Sequence, residues 1–244
     1  MLKFNLTYRR FSERSILVEW PSEINENILH DVLDFKNKLE NTNIKEIVQV
    51  NNAYNSLLII YMFTIDNAYD EIKRLKAHYS NRDHLEKSVF NLWKIPVCYD
   101  EEFGIDLVEI SEKKNCSKAQ IIQLHSEPIY TVYFIGFLPG FLYLGGLDKR
   151  LHFPRKKSPR LQIKKGAVAI GGPQTGVYPN ESPGGWNIIG NSPIVFFETN
   201  QVEPCFAKAG DKVQFVPISK SEYDVIHEEI ENGCYQLENE VYHG

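Results

Sequence analysis

Apolar positions in the first third of the chain alternate between two periods. SILVEW (Ser15–Trp20) is a short apolar run stopped by Pro21, which predicts a strand. From Asn25 the spacing lengthens: Ile28, Val32, Phe35 and Leu39 share one stripe, with Leu29 and Leu33 beside it, and a helix is predicted. Ile44–Val50 and Ser56–Phe63 read as two strands across an Asn51–Asn52 turn. A second helix is expected from about Asp66, burying Ala68, Ile72, Leu75 and Tyr79. The order β-β-α-β-β-α predicts an α+β domain over residues 1–88, one sheet covered by two helices.

The pattern then changes. Residues 81–92 are polar, then briefly apolar, and are expected to cross to a second domain over 89–222. Trp93–Tyr99 reads as its first strand, with Pro96 pushing it toward an edge. Two short helices follow: Asp106 and Glu109 form a capping pair around LVEI, and Ser117 with Gln120 matches a capping box. The second helix ends at His125, before Pro128. Tyr130–Ile135, Ala167–Ile170, Ile194–Phe197 and Lys212–Ile218 are predicted strands, and their spacing favours an antiparallel barrel or compact sandwich. Residues 223–244 read as an acidic helix and frayed tail: Ser221–Gly244 holds seven acids and no Lys or Arg, and the tail is expected near the basic segment described next.

Composition singles out Gly136–Gly190. These residues hold 11 of the 15 glycines and six of the 12 prolines, too dense for a helix and poor for plain sheet, so rigid loops over a β scaffold are expected. Charge marks the same place. The chain carries a net charge of −5, yet Lys149–Asn180 contains eight bases and no acid. A local positive field of this kind suits an anionic ligand, a phosphate or a carboxylate. Lys156 and Lys157 read as a solvated face. Arg155 and Arg160 each follow a proline and are the better site candidates. His125, in a last helical turn where the dipole favours its charged form, reads equally as a cap or a functional group.

The remaining composition excludes several classes. At 244 residues, 43% of them hydrophobic, the chain can bury two ordinary cores. It has no apolar run of membrane-spanning length and no signal-peptide pattern. Cys98, Cys116, Cys205 and Cys234 are scattered, with no metal-ligand spacing, so free thiols and a cytoplasmic location are expected, with no bound metal. The acidic balance argues against nucleic acid. No Walker lysine motif and no Ser-His-Asp order is present.

GFLPGFLYLGGL (136–147), the Pro-Arg pairs at 154–155 and 159–160, GAVAIGGPQTGVYPNESPGGW (166–186) and His125 in LHSEP together resemble the allophanate hydrolase subunit 1/KipI family. The match is close over about 94–218 and weaker over 1–90. The resemblance implies a cyclophilin-like β-barrel for the second domain. It also implies a component of an ATP-dependent 5-oxoprolinase, working with a sister subunit (C) like allophanate hydrolase subunit 2 and a LamB/YcsF-like subunit (A). ATP with Mg would be shared with those partners, and the chain alone would be inactive. On this reading His125, Arg155 and Arg160 are catalytic, with His125 as acid/base. Backbone N–H groups at Gly171, Gly172 and Gly176, with Gln174 and Thr175, hold an oxyanion, and Tyr143, Tyr178 and Trp186 are walls. The alternatives are a KipI-like inhibitor of a sensor histidine kinase and a carboxyltransferase-like component of a urea/allophanate system. Where the family usually has arginines, this chain has Asn187 and Asn191.

Overall fold

The computed structural model describes residues 4–42, 44, 46–81 and 89–243; the centre of the expected crossing, 82–88, lies outside the described residues. The chain divides into two compact units, Met1–Ser88 and Val89–Gly244.

In the first unit β1 (Thr7–Ser12), β2 (Ser15–Glu19), β3 (Ile47–Asn52) and β4 (Ser56–Tyr61) form an antiparallel sheet in the order β1-β2-β4-β3. Helices α1 (Glu26–Asn41) and α2 (Ala68–Ser80) start where Asn25 and Asn67 side chains accept backbone N–H groups. The predicted α1 stripe is buried against Ile16, Val18, Leu57 and Ile59. Within that core Asp31 accepts Trp20 Nε1 and Tyr79 Oη, both at 2.7 Å, tying strand end and both helices together.

The second unit is a closed barrel. Its strands are β5 (Asn91–Cys98), β6 (Tyr130–Ile135), β7 (Leu142–Gly145), β9 (Ala167–Gly171), β10 (Gln174–Val177), β12 (Asn187–Asn191) and β13 (Lys212–Ile218). The order β12-β9-β10-β7-β6-β13-β5 returns to β12 through Asn191 and Cys98. Only β5 and β13 run parallel; the other pairings are antiparallel. A separate two-stranded antiparallel sheet pairs β8 (Arg160–Ile163) with β11 (Ser182–Gly184). The glycine-dense stretch is therefore more sheet than expected, with six short strands from β7 to β12. Glycine permits the tight closure: a Cβ on Gly190 would lie 2.8 Å from the Cys98 carbonyl oxygen.

Pro96 sits inside a barrel strand rather than on an edge. One side of β5 is shared, with β14 (Asn239–Val241) at its start and β12 at its end, and Pro96 falls between the two. Ile194–Phe197 is not a strand: the regular segment comes earlier, at β12, and Ile194 and Phe196 follow as buried irregular chain. Nor is the tail frayed. Helix α5 (Lys220–Glu231) opens with a Ser219–Glu222 capping box and reaches the end of the basic segment through Tyr223, Asn191 and Lys165 O, while β14 clasps β5 with Glu238 ion-paired to Lys94. Helices α3 (Leu107–Lys114) and α4 (Lys118–Ser126) lie between β5 and β6 in the chain, and the Ser117–Gln120 capping box forms as predicted. Asp106 occupies the N-cap of α3 but makes no side-chain cap bond. Among the described residues no helix is long and apolar enough to cross a membrane.

Candidate functional site

Strand alternation sorts the expected site residues onto two faces of one wall. On β10, Thr175 and Val177 point into the barrel with Leu142, Leu144, Val168 and Ile170. Gly176 faces outward with Phe141, Ala169, Trp186 and Ile188, the centre of a second, outer apolar cluster.

His125 belongs to the inside. It is 0% exposed and stacks on Phe215 at 4.6 Å. Thr175 donates its hydroxyl to Ala169 O at 3.0 Å, so its oxygen accepts from His125 Nε2 at 2.8 Å. Nδ1 is then left to accept the Tyr99 hydroxyl at 2.8 Å. Both ring nitrogens are satisfied only in the neutral form, and burial pushes the pKa down to about 3. Burial outweighs the helix dipole: His125 and Thr175 are structural, and the acid/base role expected of His125 has no support.

Arg160 is also reassigned. Its guanidinium forks onto buried Asp106 (2.9 and 2.7 Å), which also takes Lys156 Nζ at 2.8 Å and the Ile188 N–H at 2.7 Å. Burial would raise the Asp106 carboxyl, but the hydrogen bonds from Arg160, Lys156 and Ile188 prevail and hold it below the usual range. Lys156, expected in solvent, also reaches Glu109 at 2.8 Å; bonds from Lys113 and Lys156 hold that carboxyl at about 2. The anion that these cations meet is internal.

What gathers outside is Tyr143, Arg155, Gln174, Tyr178 and Trp186. Phe141 anchors them, with ring centroids 5.1 Å from Tyr143, 5.6 Å from Tyr178 and 5.6 Å from Trp186. Trp186 lies on the β9 backbone because position 171 is glycine: a Cβ there would meet the indole at 2.5 Å. The exposed Arg155 guanidinium stands 5.5 Å over the Trp186 ring and donates to Gln174 Oε1 at 3.2 Å. Burial raises the hydroxyl pKa values of Tyr143 and Tyr178, and Arg155 opposes both shifts. The proposed oxyanion donors are not collected with them. Gly172 N–H donates to Phe153 O at 2.7 Å, and Gly171 and Gly176 lie in the β9–β10 ladder.

Two residues that hold this face were not foreseen. Asp106 pins β8 and β12 together, and Asn187 donates to Pro154 O at 2.9 Å and Ile170 O at 3.2 Å, fixing the chain that carries Arg155. Asn187 was visible only as a departure from the family pattern. Asn191, the other departure, is buried between Lys165 O and the Tyr223 hydroxyl. Beside the face, Phe137 is 67% exposed and has φ +66°, a conformation disfavoured for an aromatic residue. All four cysteines are free, and among the described residues no group of His, Cys, Asp and Glu could hold a metal ion.

The family model of the carboxyltransferase domain, subdomain C and D, matches residues 6–207. The B component of 5-oxoprolinase from Haemophilus influenzae is 41% identical over 174 residues, 70% of this chain and 80% of that protein. The component of the same name from Bacillus subtilis is 34% identical over 233 residues, 90% and 96% of the two chains. Among solved structures, TTHA0988 superposes with a TM-score of 0.73 at 29% identity over 84% of this chain, which spans only 40% of that one. The Kluyveromyces lactis urea amidolyase, at 22% identity and a TM-score of 0.80, shares the fold over 97% of this chain and 16% of its own.

Proposed function

The chain belongs to the family of the carboxyltransferase domain, subdomain C and D, and from that premise we propose that it is the B component of an ATP-dependent 5-oxoprolinase. The observation that carries the site assignment is the exposed Arg155, held over Trp186 and steadied by Gln174, on an aromatic face outside a sealed barrel.

A lactam carbonyl is a poor electrophile. Transfer of the ATP γ-phosphoryl group to its oxygen, with release of ADP, activates the carbon to water. The tetrahedral adduct collapses by breaking the C–N bond of 5-oxo-L-proline, the nitrogen taking a proton, and a second water releases phosphate from the resulting acyl phosphate to give L-glutamate. This reaction sequence depends mainly on positioning and electrostatic stabilisation. Arg155 suits the carboxylate of the substrate: among the described residues only one of its five N–H donors is committed, and a guanidinium binds carboxylates in pairs of bonds. Tyr143 walls the apolar ring, buried Trp186 supports the guanidinium from beneath, and Gln174 sets its plane. The same face does not fit ATP and Mg by itself, because among the described residues it offers one exposed arginine, no carboxylate to hold a metal and no glycine-rich phosphate cradle. The nucleotide would be held chiefly by partners: a sister subunit resembling allophanate hydrolase subunit 2 and a LamB/YcsF-like subunit, assembled in the cytoplasm. On this reading the chain alone is inactive.

The test is reconstitution with those subunits, reading 5-oxoproline-dependent ATP hydrolysis. Arg155→Ala should remove turnover while the complex still assembles; full turnover would overturn the assignment. A carboxyltransferase-like role is the second reading, favoured by the shared fold with urea amidolyase. Urea-dependent in place of 5-oxoproline-dependent turnover would select it.

A further inference from the structure

Beyond the aromatic face, the basic stretch has a part that the proposed chemistry does not use. Arg150 pairs with Asp148, Lys156 and Arg160 with Asp106, and Arg155 lies on Trp186. Lys149, Lys157, Lys164 and Lys165 remain exposed, and the last three frame β8, one before the strand and two after it. Between them Leu161 is 90% exposed, the highest exposure of any large apolar residue in the barrel unit except Val202. Among the described residues β8 pairs with β11 alone, so its other edge carries no strand.

We propose that this open edge of β8 takes up an extended acidic segment of another protein as an added strand. Main-chain bonds to β8 would supply affinity, Leu161 an apolar contact, and the lysines charge recognition at both ends. Lys157 precedes and Lys164 and Lys165 follow the four residues of β8, so the fitting segment has carboxylates on both sides of an apolar centre. A second copy of β8 does not fit, because like charges would face each other. The chain's own acidic tail is engaged elsewhere, with β14 on β5, Glu222 in its capping box and Asp224 on Lys220.

The probe is a fluorescein-labelled peptide, Glu-Glu-Thr-Val-Thr-Val-Glu-Glu, titrated into the full chain, with a Lys-for-Glu peptide as control. Binding should be confined to the acidic peptide, and alternate backbone amides of β8, those on the edge away from β11, should gain protection from exchange. Replacing Lys157, Lys164 and Lys165 with Glu should weaken binding by about tenfold or more. Leu161→Pro, checked for an unchanged far-UV circular dichroism spectrum and denaturation midpoint, should abolish binding although every lysine remains. Equal binding of both peptides, no binding of either, or binding that survives Leu161→Pro would overturn the proposal.

Discussion

The inner and outer surfaces of the β7-β10-β9-β12 wall are made by the same short strands and behave oppositely. Inside, Thr175 meets His125 in a closed chain of hydrogen bonds, and the imidazole stays neutral because no water or counter-ion reaches it. Outside, one residue away, Gln174 meets Arg155 at the surface, where the guanidinium keeps most of its donors. A shift of a single residue along β10 thus separates a buried framework group from one at the surface. Polar residue type alone does not mark the site; the side of the sheet does.

The largest test of this contrast is Asp106→Ala, which strands Arg160 and Lys156 beside a buried gap. It should cost about 3–5 kcal/mol in urea unfolding, as breaking a buried pair does. Arg155→Ala should do the reverse: stability within about 0.5 kcal/mol of the parent, but turnover of the assembled enzyme down about 100-fold, near 2.7 kcal/mol of transition-state stabilisation. Similar stability losses in the two variants would erase the distinction. His125 sharpens it through pH. The folded imidazole stays neutral to about pH 3, whereas the unfolded one gains a proton near 6.5, so below that point the unfolded state binds more protons. Stability should fall with decreasing pH by at most about 1.4 kcal/mol per unit from this group. His125→Phe should flatten the slope between pH 6.5 and 4, in denaturation midpoints, without moving the pH profile of turnover. The smallest effect is Phe137→Gly. It relieves left-handed strain and should raise stability by about 0.5 kcal/mol, after allowing for the freer unfolded chain. Size-exclusion titration with the sister subunit should show weaker assembly if the ring is a contact.

The helices were legible because each rests on a local signal: the stripe from Ile28 to Leu39, the Asn25 position, the Ser117–Gln120 pair. In the first sheet β1 was not located, and Asn51 and Asn52, expected as a turn, extend β3. Within Gly136–Gly190 local signals fail. Strands of three to five residues, such as β10 and β11, are too short to show a period. Tyr143, Arg155, Gln174, Tyr178 and Trp186 lie together around Phe141, a grouping that no local pattern shows. The pairing of Arg160 with Asp106 spans 54 residues of sequence, and nothing beside Asp106 announces it, since an acid before LVEI has the pattern of a helix cap. Likewise His125 lies at a helix end, and only the strands closing around α4 show that this end is dry.

The clasp of β14 on the first residues of β5 brings the beginning and end of the second unit side by side, with Asn239 opposite Trp93 and Val241 opposite Asn91. A domain whose ends meet can be rewired without disturbing its interior. A cyclised or circularly permuted barrel, joined there and cut at an exposed turn elsewhere, should keep both surfaces of its wall. Any polypeptide appended after residue 243 would leave from the place where the chain first enters the barrel.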